Sequence, residues 1–311
     1  MKILIAGAGA VGTHLARLLE QENHDITLID GDKERLSLIR DNSEILTYLG
    51  NCTSLNDLAA AGVGSADLFI GVTPEESKNI NSCMLASNMG AKKTLARIDN
   101  HEYLLPKNQE FFENLGIHSM IYPELVAARE IAMAIKTPWT RFWWELCNGT
   151  IVLIGAKIRN NAPLVNKHLY ELDQHVKQFH IVAIKRGGTT IIPKGSDQIL
   201  HNDILYFATL KKYVDILPEL LGKKSFETKR LMFMGGSRIT MRTIQQLPQN
   251  IDIKIIEQDR ERAEFLAEKC PSSVTVFIED GRNAEFLIRE GISETDAFMA
   301  LTANSEANIL G

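Results

Sequence analysis

Apolar residues in this chain come in short runs, punctuated by glycines and joined by helical stripes. Residues 2–6, Lys-Ile-Leu-Ile-Ala, read as a buried strand. Gly7-Ala8-Gly9-Ala10-Val11-Gly12 follows, and then a helical pattern that places Val11, Leu15, Leu18 and Leu19 on one face. The next apolar run, 26–29, ends in Asp30. Further strands are expected at 45–49, 68–72, 94–98 and 118–122, with helices at 55–61, 77–89 and 125–135. Strands alternating with helices predict an α/β fold, a Rossmann-like doubly wound parallel sheet. Thr137-Pro138 marks its end, because the residue before a proline avoids helical backbone.

The pattern changes over residues 139–226. Strand-like runs at 151–156, 181–184, 190–192 and 204–208 carry no glycine loop and no regular helix between them. Gly187-Gly188 between two apolar runs predicts a hairpin, and 213–221 a closing helix. This is expected to be a small α+β domain. Trp139, Trp143 and Trp144 cluster at its start and are assigned to packing.

The last segment repeats the first. A strand-like run at 229–234 leads to Gly235-Gly236-Ser237-Arg238-Ile239-Thr240, and the run 253–256 ends in Glu257. Thr302 and Asn308 recur at the spacing of Thr73 and Asn79. A partial second Rossmann-like domain is predicted. The expected domains are 1–137, 138–227 and 228–311. The repeat stops after its fourth strand, so a C-terminally truncated chain is expected.

The chemistry sits in the first copy. Strand, Gly-x-Gly-x-x-Gly, helix, strand and acid together form the dinucleotide fingerprint. Gly7 permits the tight turn, Gly9 leaves room for a pyrophosphate, and Gly12 lets helix and strand pack closely. The helix N-terminus offers free N–H groups to phosphate. Asp30 can accept from both ribose hydroxyls and would repel a 2′-phosphate, which favours NAD over NADP. Adenosine nucleotides share that ribose contact and stay open. Ligands of such sheets bind at the carboxyl ends of the strands, which places Asn51, Cys52, Thr73, Pro74 and Arg97 around the pocket. Asn51 and Thr73 serve equally well as helix caps. Arg97 suits a phosphate, or pairs with Asp99 or Glu124.

In the second copy Ser237 and Thr240 stand where the motif has glycines, which compromises the close backbone approach. Glu257 keeps an acid for ribose, and Arg238 adds a cation. In the middle segment Asp197, His201 and Asp203 read as turn chemistry. No acid–base or nucleophile arrangement suited to catalysis stands out there. That argues against the alternative, an NAD-dependent dehydrogenase of a small carbonyl or amino-acid substrate.

Composition narrows the classes. A net charge of −5 speaks against a nucleic-acid binder. No apolar stretch reaches the roughly 18 to 20 residues of a membrane span, and the N-terminus has no signal-peptide pattern. Four scattered cysteines read as reduced thiols, and eight histidines form no ligand cluster, so no metal is expected.

With its motifs in order, the chain resembles the TrkA-type regulatory subunits of bacterial Trk potassium uptake systems, which carry tandem RCK (KTN) domains. The resemblance rests on MKILIAGAGAVG, LIDGD at 28–32, ADLFIGVT at 66–73 and ARID at 96–99. In the middle it rests on FHIVAIKRGGTTIIPKGSDQILHNDILYFAT, and in the tail on MFMGGSRI, IIEQDRERAEFLAE and ALTANSEANIL. It implies a non-enzymatic subunit on the cytoplasmic face of the membrane, gating a TrkH/TrkG-type potassium-translocating subunit. NAD(H), with ATP or ADP at the same site, would be the ligands. The assembly would be a homo-oligomer, a tetramer in full length and a dimer at this length. The resemblance carries Gly7, Ala8, Gly9, Ala10, Val11, Gly12, Asp30, Asn51, Cys52, Thr73, Pro74 and Arg97 over as the first site. Gly235, Gly236, Ser237, Arg238, Ile239, Glu257 and Asp280 carry over more weakly as a second. Asn51 stands where the family often has Asp.

Overall fold

The computed structural model describes residues 1–40, 44–175, 177–224, 226–302, 304 and 308–309. The chain divides into two compact units, Met1–Val126 and Ala127–Gly311.

The first unit is a six-stranded parallel sheet. Its strands are β1 (Lys2–Ala6), β2 (Asp25–Asp30), β3 (Leu46–Leu49), β4 (Leu68–Gly71), β5 (Thr94–Arg97) and β6 (Ser119–Ile121). The order β3-β2-β1-β4-β5-β6 is that of a doubly wound fold. Successive residues of β1 feed opposite faces. Ile3 and Ile5 join one core with Ile26 and Leu28, whereas Leu4 and Ala6 join the other with Ile29 and Phe69. The helices α1 (Ala10–Gln21), α2 (Lys33–Arg40), α3 (Leu55–Ala60), α4 (Glu76–Asn88) and α5 (Pro106–Asn114) connect the strands, and α6 (Pro123–Lys136) leaves the unit. Polar residues dominate α2 and α5, so the hydrophobic pattern did not mark them.

Helix α1 keeps part of the expected face, with Leu15 and Leu19 packed against the core, and departs from it at Val11 and Leu18. Gly12 and Ala16 are its buried residues, and Val11 and Leu18 are 48% and 47% exposed. The cause is close approach. A Cβ on Gly12 would stand 1.8 Å from the carbonyl oxygen of Gly7, so no side chain fits at that position. Gly12→Ala is expected to destabilise the first unit by about 1–3 kcal/mol through overpacking, read as a lowered denaturant midpoint.

The second unit holds two sheets. The strands β7 (Phe142–Leu146), β8 (Ile151–Lys157), β9 (Phe179–Arg186), β10 (Thr189–Ile191) and β11 (Ile204–Leu210) form an antiparallel sheet in the order β10-β9-β11-β8-β7. The hairpin expected at Gly187-Gly188 joins β9 to β10. Val152, Ile154, Leu205 and Phe207 fill the core beneath. The expected closing helix is a 3-10 turn, Lys211–Ile216, followed by the short α7 (Leu217–Leu220). The tryptophans divide: Trp139 is buried, Trp143 packs against the core, and Trp144 is exposed. Asp203 is buried and accepts from Arg186 Nε at 2.9 Å and Nη2 at 2.8 Å.

The last sheet is parallel, with β12 (Arg230–Met234), β13 (Asp252–Glu257), β14 (Val274–Ile278) and β15 (Ala297–Ala300) in the order β14-β13-β12-β15. It repeats the arrangement of β3-β2-β1-β4. The pairing registers agree as well: Lys2 faces Asp25 in one copy and Arg230 faces Asp252 in the other. The helices are α8 (Arg238–Ile244), α9 (Arg260–Lys269) and α10 (Ala284–Arg289). Helix α8 is shorter than its counterpart α1, and Leu247-Pro248 lies just beyond it. Ala132 and Ile135 of α6 share one core with Leu231, Phe233 and Ile255.

Candidate functional site

In the first unit the glycine loop and the acid are tied together. Gly7 adopts φ +113°, a conformation that suits glycine, and its N–H donates to Ile29 O at 2.9 Å. The N–H of Ala8 donates to Asp30 Oδ2 at 2.6 Å, and that of Asp32 to Oδ1 at 2.8 Å. Each carboxylate oxygen thus has one backbone donor and keeps a lone pair for a ligand. Gly9 is the N-cap of α1, without a side-chain cap. A Cβ there would meet nothing within 4 Å, so packing within the protein does not require the glycine, in contrast to Gly12.

A cleft of about 90 Å³ lies at the carboxyl ends of the strands, lined by Gly7, Asp30, Asn51, Cys52, Thr73 and Lys78 among others. Ala8 and Ala10–Gly12 form the loop and the first turn of α1 beside it, while Pro74 and Arg97 lie outside its lining. Lys78 was not singled out from the sequence. It lies in the first turn of α4, one helical turn past Thr73-Pro74, and that placement was the available signal. Asn51 Oδ1 accepts from Thr53 N at 3.0 Å, so it does act in a turn. Thr73 is held by Asn79: its N–H and its Oγ1 both donate to Asn79 Oδ1, at 2.8 and 2.7 Å. Burial pushes the Cys52 thiol up and the Cys83 thiol up to about 12, which keeps both protonated at neutral pH. Arg97 pairs with Glu124 at 3.5 Å.

The second copy rebuilds these contacts. Gly235 adopts φ +97°, and Gly236 N donates to Glu257 Oε2 at 2.8 Å, as Ala8 N does to Asp30. Thr302 N and Oγ1 donate to Asn308 Oδ1 at 2.9 and 2.7 Å. The replaced glycines have found other contacts. Ser237 caps α8, its Oγ accepting from Thr240 N. Thr240 sits where Gly12 does in the first copy, and its Oγ1 donates to Gly235 O at 2.7 Å. A tight backbone contact has become a hydrogen bond.

The cavity here is about 370 Å³ and is lined by Gly235, Ser237, Arg238, Glu257 and Asp280. Gly236 and Ile239 lie outside that lining. Arg262 and Arg282 also line it, and neither was picked out from the sequence. Arg262 Nε donates to Gly236 O at 2.8 Å and stands 3.8 Å from Glu257 Oε2. Its counterpart Arg35 pairs instead with Asp32. Arg282 grips Asp280 at 3.0 and 2.7 Å, which holds that carboxyl down at about 2. Among the described residues, no group of His, Cys, Asp or Glu could hold a metal ion. No described helix is long and apolar enough to cross a membrane.

These features define a class, a chain with a duplicated Rossmann unit around a small antiparallel domain. Residues 3–123 and 231–311 match the TrkA-N domain, and residues 153–222 match the TrkA-C domain. The chain is 32% identical to the Trk system potassium uptake protein TrkA of Haemophilus influenzae, across all of this chain and 68% of the relative. It is 31% identical to that of Vibrio alginolyticus over the same shares. The chain belongs to the TrkA family.

Among solved structures, the GsuK channel superposes over 99% of this chain with a TM-score of 0.72 at 17% identity. The same channel bound to NAD gives 0.69. This chain spans 54% of the channel chain, so the likeness is one of fold.

Proposed function

We propose that this chain is a nucleotide-sensing regulatory subunit of a membrane potassium uptake system. It takes NAD(H), or ATP or ADP, in the first pocket and does no chemistry on them. The observation that carries this reading is the Asp30 carboxylate, fixed by Ala8 N–H and Asp32 N–H at the rim of the cleft. A carboxylate so oriented suits a ribose diol and disfavours a 2′-phosphate. The first site comprises Gly7 to Gly12, Asp30, Asn51, Cys52, Thr73, Pro74, Lys78 and Arg97. The second, around Glu257, Arg238 and Asp280, is a nucleotide site of different charge. Domain limits fall at 137/138 and 227/228.

The subunit works at the cytoplasmic face, attached through its potassium-translocating partner and assembled with copies of itself. Its relatives are Trk system potassium uptake proteins, which supports a potassium-translocating partner. A nucleotide shifts the gate only by its difference in affinity between two assembly geometries. About 1–3 kcal/mol of coupling suffices for a useful response. The test is titration of NADH followed by tryptophan fluorescence and absorbance, with a panel of carbonyl substrates. Saturable binding with no oxidation is expected. Steady turnover would instead establish a dehydrogenase.

A further inference from the structure

Among the described residues, two buried side-chain atoms make no hydrogen bond: Nε of Arg97 and Oε2 of Glu124. They belong to one ion pair, and the pair is loose. Arg97 Nη2 stands 3.5 Å from Glu124 Oε1, with both side chains about four-fifths buried, at 22% and 18% exposure. Arg186 and Asp203 show the contrast, a two-pronged contact at 2.8 and 2.9 Å. A buried donor or acceptor left unmatched is costly, because it gives up hydrogen bonds to water and gains none in return. A buried ion pair offsets its desolvation only when its geometry is good. The Arg97–Glu124 pair therefore leaves hydrogen-bonding capacity unused on both partners.

Arg97 ends β5, at the carboxyl edge of the sheet. Its backbone oxygen accepts from Asn79 Nδ2 at 3.0 Å. The same Asn79 holds Thr73, which lines the first cleft. One side chain thus anchors both a lining residue and Arg97. Glu124 lies in the first turn of α6, where the helix dipole supports its negative charge with or without a guanidinium beside it.

We propose that Glu124 is a stand-in counter-ion for Arg97, and that a terminal phosphate of a nucleoside polyphosphate in the first cleft takes the guanidinium from it. This rests on reading that cleft as a nucleotide site. A phosphoryl group offers two oxygens to the guanidinium fork and carries more charge than the carboxylate it displaces. A nucleoside without phosphate cannot drive the exchange. The pair thereby makes affinity depend on the phosphate chain, with Glu124 setting the threshold.

Calorimetric titration of the full chain with ATP and with adenosine tests the exchange. Glu124→Gln is expected to tighten ATP by about five-fold or more and to leave adenosine unchanged. Arg97→Gln is expected to weaken ATP by about five-fold or more and to leave adenosine unchanged. The double variant should match Arg97→Gln alone. An ATP affinity unchanged or weakened in Glu124→Gln overturns the proposal, as does tightening that persists without Arg97. If wild type binds adenosine and ATP yet fails these arms, the nucleotide reading stands and only the exchange is lost. If wild type binds neither these nor NADH, the nucleotide reading itself falls, and the exchange with it. Should a variant not fold, side-chain NMR of arginine-labelled wild type decides the same question. The Arg97 Nε–H signal is expected to move with ATP and not with adenosine, and a signal that ignores ATP overturns the exchange.

Discussion

Asp30→Ala is expected to weaken both NADH and ATP at the first cleft by about a hundred-fold. Hydrogen bonds to a charged group contribute about 1.5–3 kcal/mol each, and the ribose diol offers two. A loss of about 3 kcal/mol corresponds to that factor. The substitution also releases the N–H groups of Ala8 and Asp32, which the carboxylate now holds at 2.6 and 2.8 Å. Asp30→Asn keeps one acceptor and should fall between wild type and alanine. Calorimetry reads all three, and an affinity unchanged in the alanine variant would remove Asp30 from the site.

The second large effect is one of stability. Asp203→Ala is expected to cost the antiparallel sheet about 3 kcal/mol, the lower end for a broken buried pair. The figure is kept low because Arg186 is 39% exposed and can rehydrate. Asp203 itself is 1% exposed and also accepts from Leu200 N at 2.9 Å. Burial alone would raise its carboxyl. The Arg186 guanidinium and the Leu200 N–H outweigh burial and hold it below the ordinary carboxylate range. A carboxyl depressed in the folded state stabilises fully above its unfolded value of about 3.9. That contribution is lost as pH falls through the lower folded value. The difference between wild type and Asp203→Ala should therefore begin to shrink below about pH 3.9 and shrink further in stronger acid. Urea unfolding at neutral pH and near pH 3 measures both, and equal midpoints at neutral pH would contradict the assignment.

Much of this was legible because it is local. Gly7, Gly12 and Asp30 lie within one strand–helix–strand unit, and the parallel sheet follows from the alternation of runs. The family resemblance read from the motifs agrees with the domains the chain matches. What was not legible depends on which of several partners a side chain takes. Arg35 and Arg262 occupy equivalent positions, yet one pairs within its own helix start and the other crosses to the glycine loop. The serine and threonine of the second copy read as erosion, because a one-letter pattern cannot show that their hydroxyls bond back to the loop. Strand β7 went unmarked because Trp144, Glu145 and Leu146 are exposed along it, which blurs the alternation a strand usually shows. On α1, size decided over hydrophobicity at the closest approach: Leu15 and Leu19 of the stripe pack inward, but Val11 and Leu18 are exposed, and the fully buried residues are Gly12 and Ala16.

The core that α6 shares with the second parallel sheet has a consequence for the autonomy of the repeat. Ala132 and Ile135, far upstream in the chain, belong to the core of the second parallel sheet. A cut ahead of Lys229 would leave Phe233 and Ile255 without those neighbours. The duplicated half is self-similar as text but not closed as a packing unit, since part of its interior is supplied from before the middle domain. Sequence symmetry and physical modularity therefore have different boundaries in this protein.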